Sequence, residues 1–284
     1  MKTTRLAQLA SLAVVGSMAL AACGSDNTTG TTSAEGSSSS ASASESAATE
    51  CFSGTINAEG SSAQKNAIEE AIASYGEACK DAKISYNPTG SGAGIKQFTA
   101  GQVDFAGSDS ALKTEGKDGA QSEAAQAEAF CGSPAWNLPM VTGPIAIAFN
   151  VKGVDKLTIT PAVAADIFSG KITTWNDAKI AEINKGVTLP ATAIKVFFRS
   201  DESGTTENFT KYLKAAAPEG WTADASKKWT GAGEGKEKSA GVAEGVKSTD
   251  GGVTYVEWSY AKDNKLGIAS VDNGAGAVEL TGES

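Results

Sequence analysis

Ile194-Lys195-Val196-Phe197-Phe198-Arg199-Ser200-Asp201-Glu202-Ser203-Gly204-Thr205-Thr206 reads as a strand that turns into a helix. The β-formers deliver an arginine at the strand's end. A carboxylate, Asp201, follows two residues later. Ser203-Gly204-Thr205 then opens a helix with Phe209, Tyr212 and Leu213 on one face. A guanidinium offers a fork of donors. A helix start offers unpaired backbone N–H groups and the positive end of the dipole. Together they suit an oxyanion, with Asp201 placed to hold the arginine. A Ser/Thr cap alone would be ordinary. The joint spacing of Arg, Asp, Ser, Gly and Thr is what points to a site.

The same β-loop-α grammar recurs upstream. Thr55–Ala58 reads as a strand, followed by Gly60-Ser61-Ser62-Ala63. A helix then carries Ala67, Ile68, Ala71, Ile72 and Tyr75 at helical spacing, with Ser62 in the N-cap position. Lys83–Tyr86 is a second strand, and Gly90-Ser91-Gly92-Ala93-Gly94 leads into a helix around 95–100. Val103–Ala106 is a third, ending Gly107-Ser108-Asp109-Ser110. Alternating strands and helices imply a parallel α/β sheet, whose ligands sit beyond the C-terminal strand ends. Each polar loop alone is an ordinary cap or turn. The glycine-rich one lacks the acidic partner of a dinucleotide site. Four strand ends that share one address make a site.

Trp136–Pro144 leads through a Gly143-Pro144 bend into the buried strand Ile145–Phe149, so the first crossing between domains is expected near Val141–Gly143. Beyond it lie a helix over 162–168, the loop Gly170-Lys171-Ile172-Thr173-Thr174-Trp175-Asn176-Asp177, and the Arg199 segment. Gly231–Gly245, rich in Gly, Glu and Lys, reads as a surface loop. Val253–Tyr260 reads as a strand or short helix, and 266–270 as a last strand.

The N-terminus reads as an export signal. Lys2 and Arg5 precede an apolar Leu6–Ala22, too short to span and ending Leu20-Ala21-Ala22-Cys23. Residues 24–50 hold no aromatic, no long aliphatic and no basic residue, which predicts a disordered tether reaching roughly 30 Å. The expected organisation is a signal at 1–22, a Ser/Ala/Thr-rich tether at 23–50, lobe I at 51–141 and lobe II at 142–284.

Without Lys2 and Arg5 the chain holds 22 basic against 33 acidic residues, a net charge of −11 against −9 for the whole. That surface does not suit nucleic acid or anionic lipid, and an anion site on it must work by local groups. The chain has no histidine. Ser-His-Asp and Cys-His mechanisms are therefore excluded, and the commonest metal ligand is missing. Four cysteines occur, with no zinc spacing. In an exported protein one disulfide is expected. Cys79 with Cys131 is the first choice, since both sit between elements of one domain; pairing with Cys51 stays open.

These motifs resemble the phosphate-binding proteins of bacterial phosphate ABC importers, within the substrate-binding-protein superfamily. The resemblance covers nearly all of residues 54–270. It rests on Gly60–Ala63, Gly90–Gly92, Val103–Asp109, Gly170–Trp175, Arg199–Thr205 and Tyr255-Val256-Glu257. It implies a two-lobed, type II periplasmic-binding-protein-like α/β fold with the ligand cleft between lobes, and a monomer. It implies phosphate donors from the hydroxyls of Ser62, Ser91, Ser203 and Thr205, from the N–H groups of Ala63, Gly204 and Thr205, and from Arg199, held by Asp201. Many relatives carry a larger residue at Ala63, where only the main chain is expected to act. Asp109 would accept the proton that phosphate keeps and sulfate lacks. The Leu20–Cys23 ending resembles a lipobox, which implies lipidation at Cys23 and attachment to the extracytoplasmic face of the membrane. Implied partners are inorganic phosphate and the importer's permease and ATPase; no cofactor, metal or enzyme activity is implied. Relatives run on past residue 284, so a C-terminally truncated form, lacking the return segment of lobe I, is expected. The alternatives are another tetrahedral oxyanion such as sulfate or molybdate, a phosphate-related enzyme, or a stalked cell-wall module.

Overall fold

The computed structural model describes residues 50–282. The expected signal, tether and Cys23 lipidation site lie outside these residues. The described residues fall within one compact unit. No described helix is long and apolar enough to cross a membrane.

The first half is a repeated strand–helix unit: β1 (Gly54–Gly60), α1 (Lys65–Ala78), β2 (Ala82–Asn87), α2 (Ser91–Thr99), β3 (Phe105–Gly107) and then α3 (Glu123–Cys131). The strands form a parallel sheet in the order β2-β1-β3. Alternating strand residues face opposite sides, and in β2 every second residue is exposed. All three C-terminal ends therefore emerge along one edge, where Ser62, Ser91 and Asp109 follow.

Two expectations change here. Ser62 is not the N-cap of α1; that position falls to Gln64, whose side chain makes no capping bond. Residues 108–122, after Asp109, are irregular up to α3. The disulfide joins Cys51 to Cys79, with Cα atoms 5.3 Å apart, and not Cys79 to Cys131. The reason is topological: α1 carries the chain back to the start of β1. Gly54 N–H bonds the Asp81 carbonyl at 3.1 Å, Tyr75 Oη bonds the Glu50 carbonyl at 3.0 Å, and Phe52 stacks on Tyr75. Cys131, in the last turn of α3, is free and exposed.

The second half adds β4 (Ile145–Asn150), β5 (Thr158–Ile159), α4 (Pro161–Phe168), α5 (Ala178–Ile183), β6 (Lys195–Arg199), α6 (Gly204–Ala216), β7 (Glu234–Lys236), α7 (Lys238–Lys247), β8 (Gly252–Glu257), α8 (Trp258–Asp263), β9 (Gly267–Ile268), β10 (Ser270–Asp272) and β11 (Ala277–Val278). One five-stranded sheet runs β7-β6-β8-β4-β9, and a small one runs β11-β10-β5. The larger sheet is mixed: β7, β6 and β8 are parallel, while β4 is antiparallel to β8 and β9. Gly231–Gly245 is not the expected surface loop. It forms β7 and most of α7, because Val242, Ala243 and Val246 supply a helical apolar face that packs under the sheet.

The main core lies on the other face of this sheet. Phe149, Phe168, Trp175, Leu213, Val253 and Tyr255 are buried there. Tyr255 stacks on Phe209 at 4.6 Å and on Trp229 at 5.1 Å. Trp175 satisfies its indole N–H on the Gly251 carbonyl at 3.1 Å. Fully burying side chains of this size contributes about 2–3 kcal/mol each. Among the described residues the first sheet has no comparable core. The apolar stripe of α1 is left without a buried residue, and Phe130, Trp136, Leu138 and Met140 are exposed.

Candidate oxyanion-binding site

The loops at the C-terminal ends of β1, β2 and β3 meet those at the ends of β6 and β7. β6 ends in Arg199, which is 2% exposed. Asp201 takes one edge of its guanidinium: Nε donates to Oδ1 at 2.7 Å and Nη2 to Oδ2. Lys238 N–H donates to Asp201 Oδ1 at 2.9 Å. Burial alone would raise the Asp201 carboxyl, but the hydrogen bonds and charge of Arg199, with the Lys238 N–H, hold it below the usual carboxylate range. The pair thus stays ionised while nearly out of water, the condition under which a buried ion pair is tolerated.

Asp109 follows β3. Its Oδ1 accepts from Ser61 Oγ, and its Oδ2 accepts from Thr205 Oγ1 at 2.9 Å. Its backbone N–H donates to Ser91 Oγ at 3.3 Å, and Asn208 Nδ2 donates to its carbonyl at 2.8 Å. Gly204, the first residue of α6, sits against it: a Cβ at Gly204 would lie 2.8 Å from both Asp109 Cβ and Ser91 Oγ. Gly60 is needed for close approach as well. Its φ is +146°, and a Cβ there would meet the Gly107 carbonyl at 2.0 Å. Ser203 caps α6 by accepting the Thr206 N–H at 3.2 Å.

All eight expected contact residues, Ser62, Ala63, Ser91, Asp109, Arg199, Ser203, Gly204 and Thr205, come from these meeting loops. Ser62, Ser91, Arg199, Ser203 and Thr205 are buried. Two have a different local geometry from the one expected. Ser62 Oγ lies 3.0 Å from Ser239 Oγ. Ala63 N–H bonds Ser61 Oγ at 3.1 Å.

Sequence reasoning missed four residues. Ser61 reaches Asp109. Ser239, in the first turn of α7, accepts from Arg199 Nη1 at 3.3 Å and donates its N–H to Ser62 Oγ at 3.1 Å. Tyr86 and Tyr260 brace the Ser61-Ser62 loop by donating to its carbonyls at 2.8 and 2.7 Å. Burial drives both phenols up, Tyr260 to about 12, so they remain donors at any neutral pH. Only Ser61 carried a signal, as the neighbour of Ser62. The others depend on which elements pair across the cleft.

Charged pairs close the rim. Lys96 and Lys228 both reach Glu202, at 2.7 and 3.2 Å. Their hydrogen bonds hold the Glu202 carboxyl below its usual range. Lys227 Nζ, itself buried, meets Glu123 at 2.8 Å. The exposed pairs add little each, typically under about 1 kcal/mol. The buried one fixes the loop before β7 against α3.

A PBP superfamily domain model matches residues 22–283. Phosphate-binding protein PstS 3 of Mycobacterium tuberculosis (strain ATCC 25618 / H37Rv) is 40% identical over 279 residues, covering 97% of this chain and 72% of that one. Phosphate-binding protein PstS 2 of the same strain is 40% identical over 288 residues, covering 100% and 74%. A putative phosphate ABC transporter substrate-binding protein with bound phosphate from Clostridium perfringens superposes with a TM-score of 0.59 at 22% identity, over 81% of this chain and 79% of that one. A phosphate-binding protein from Stenotrophomonas maltophilia gives 0.60 at 22%, over 81% and 67%. The structural likenesses carry the fold, which is α/β of the type II periplasmic-binding-protein kind. The sequence likenesses carry the kinship: the chain belongs to the PBP superfamily and, within it, to the PstS family of phosphate-binding proteins.

Proposed function

We propose that this chain is an extracytoplasmic substrate-binding protein that captures inorganic phosphate and hands it to an ABC-type importer. The observation that carries the reading is the meeting of two loop sets: Arg199, held by Asp201, ends β6, and Thr205 of the α6 start that follows it bonds Asp109 from the end of β3. A guanidinium has five N–H donors. Asp201 engages two of them, and the outer edge stays available to an oxyanion. The hydroxyls of Ser62, Ser91, Ser203 and Thr205 and the N–H groups of the α6 start add neutral donors. Asp109 supplies an acceptor. An anion that suits both needs oxygens for the donors and a proton for the carboxylate. Phosphate at neutral pH has both; sulfate has only the oxygens.

In this reading, residues 51–141 and 142–284 act as two lobes. Ligand contacts from both favour the closed arrangement, and opening is a hinge motion near Val141–Gly143. Cys23 carries the lipid anchor, and residues 23–50 give the binding unit its reach. The permease and ATPase of the importer are its partners. The site binds and releases without covalent chemistry.

Titration calorimetry of the chain with phosphate and then with sulfate tests the reading. Strong heat with phosphate and none with sulfate is expected. Equal heats with both anions would replace phosphate by a general oxyanion; silence with both would overturn the reading.

A further inference from the structure

We propose that Ser239 is a positioning residue of the site: it commits the Ser62 hydroxyl to donating and fixes the tilt of the Arg199 fork. This rests on the phosphate reading above.

Ser239 is 0% exposed and lies at the start of α7, on the opposite side of the cleft from Ser62. Its Oγ accepts a hydrogen bond from Arg199 Nη1 at 3.3 Å. Its N–H donates to Ser62 Oγ at 3.1 Å, and the two hydroxyl oxygens lie 3.0 Å apart. A serine hydroxyl has one proton and two acceptor lone pairs. Ser239 Oγ accepts from the guanidinium, and among the described residues Ser62 Oγ is the one acceptor it meets; a buried O–H needs an acceptor, so its proton goes to Ser62. Ser62 Oγ then accepts twice, from the N–H and the O–H of one residue. Its lone pairs are filled, and its proton can only be given away. A hydroxyl that could face an anion with either its proton or its lone pairs is thereby set to the proton.

The same contact sorts the arginine. Asp201 takes Nε and one hydrogen of Nη2, and Ser239 takes one of Nη1. One hydrogen remains on each terminal nitrogen for the oxygens of an oxyanion. Tyr260 holds the Ser62 carbonyl at 2.7 Å, so the loop cannot swing to compensate for a lost partner.

The test is a double-mutant cycle on the full chain, read as phosphate affinity by calorimetry, with thermal unfolding as a check on folding. Ser239→Ala should weaken phosphate binding about tenfold, the equivalent of one lost hydrogen bond to a charged group. Ser239→Cys, of similar volume but with a weak donor, guards against a packing artefact and should also weaken it. In the Ser62→Ala background the loss from Ser239→Ala should shrink at least about threefold, because its route through Ser62 is gone. Wild-type affinity in Ser239→Ala, or equal losses in both backgrounds, would overturn the positioning role while leaving the phosphate reading intact. No phosphate binding by the unmodified chain would overturn both.

Discussion

Asp109→Asn separates hydrogen-bond complementarity from charge as the basis of selectivity. Asp109 receives two hydroxyl protons, from Ser61 on Oδ1 and Thr205 on Oδ2. Each carboxylate oxygen has two acceptor positions, so one remains on each for a ligand proton. Asparagine keeps the shape but turns one oxygen into an NH2. Whichever way the amide points, its NH2 faces Ser61 or Thr205, and that hydroxyl can rotate to accept instead. The fold should therefore hold, with a melting temperature close to wild type. What changes is the ligand contact. Phosphate loses a hydrogen bond to a charged acceptor, about 1.5–3 kcal/mol, or roughly 10- to 100-fold in affinity. Sulfate escapes an ionised acceptor facing its own lone pairs and gains a donor. The phosphate-to-sulfate ratio should collapse by at least roughly 100-fold. Calorimetric titration of both anions at neutral pH reads this directly. An unchanged ratio in a folded variant would refute the assignment of Asp109 as the proton-reading group.

Four further outcomes are expected. Cys79→Ser opens a loop set by a separation of 28 residues, which by chain entropy costs about 3.5 kcal/mol of stability; a denaturant-midpoint shift equivalent to less than about 1 kcal/mol would count against it. Gly204→Ala places a methyl 2.8 Å from Asp109 Cβ, so the facing loops must separate; phosphate should bind at least about tenfold more weakly, with a stability loss of about 1–3 kcal/mol in thermal melts. The Asp201 carboxyl is held below its usual range, so its ionic contribution to stability is present at neutral pH and is lost as pH falls below the ordinary carboxylate value of about 4. Acid titration followed by circular dichroism should therefore be shallower in Asp201→Asn, and parallel curves would refute the coupling. Finally, Arg199 is 2% exposed, so salt has little access to it; raising sodium chloride from about 0.01 to 0.5 M should change the phosphate dissociation constant by less than about threefold, whereas a surface-field site would lose far more.

Much of this was legible because each strand–loop–helix unit carries its own signals. The β1–α1, β2–α2 and β6–α6 units have short β-former runs, glycines at the turn and apolar helical faces, all within short windows. The second unit's turn at Gly90 and the Ser203 cap of α6 sit where such windows place them. The failures are non-local. Gly231–Gly245 looks like a loop because glycines and charges dominate it, yet Val242, Ala243 and Val246 find a sheet face to cover, and tertiary packing overrides weak propensity. The disulfide turned on where α1 returns the chain, which no cysteine spacing states. The helical spacing of the α1 apolar residues places the helix, but a period cannot say whether a partner layer lies over that face, and none of its residues is buried. Ser239 was invisible for the same reason as α7: its importance lies in facing Ser62 from 177 residues away.

The acidic balance of the chain sharpens what the site must do. Arg199 and Asp201 cancel, and Asp109 leaves the immediate cluster at one negative charge if all three are ionised. A net field therefore repels the very ligand the geometry suits. The attraction has to come from oriented dipoles instead. The starts of α2, α6 and α7 contribute residues to the cluster, through Ser91, Gly204 and Ser239. Each helix start is worth roughly half a positive charge over its first turn. Three of them offset more than the excess of Asp109, and they do so at short range, without mobile counter-ions. This arrangement has a further consequence for selectivity. A site built on excess cationic charge would favour any dianion. One built on directed N–H and O–H groups, with a carboxylate among them, accepts only an anion whose own protons complete the pattern. The carboxylate is affordable because the dipoles are there, and the dipoles discriminate because the carboxylate is.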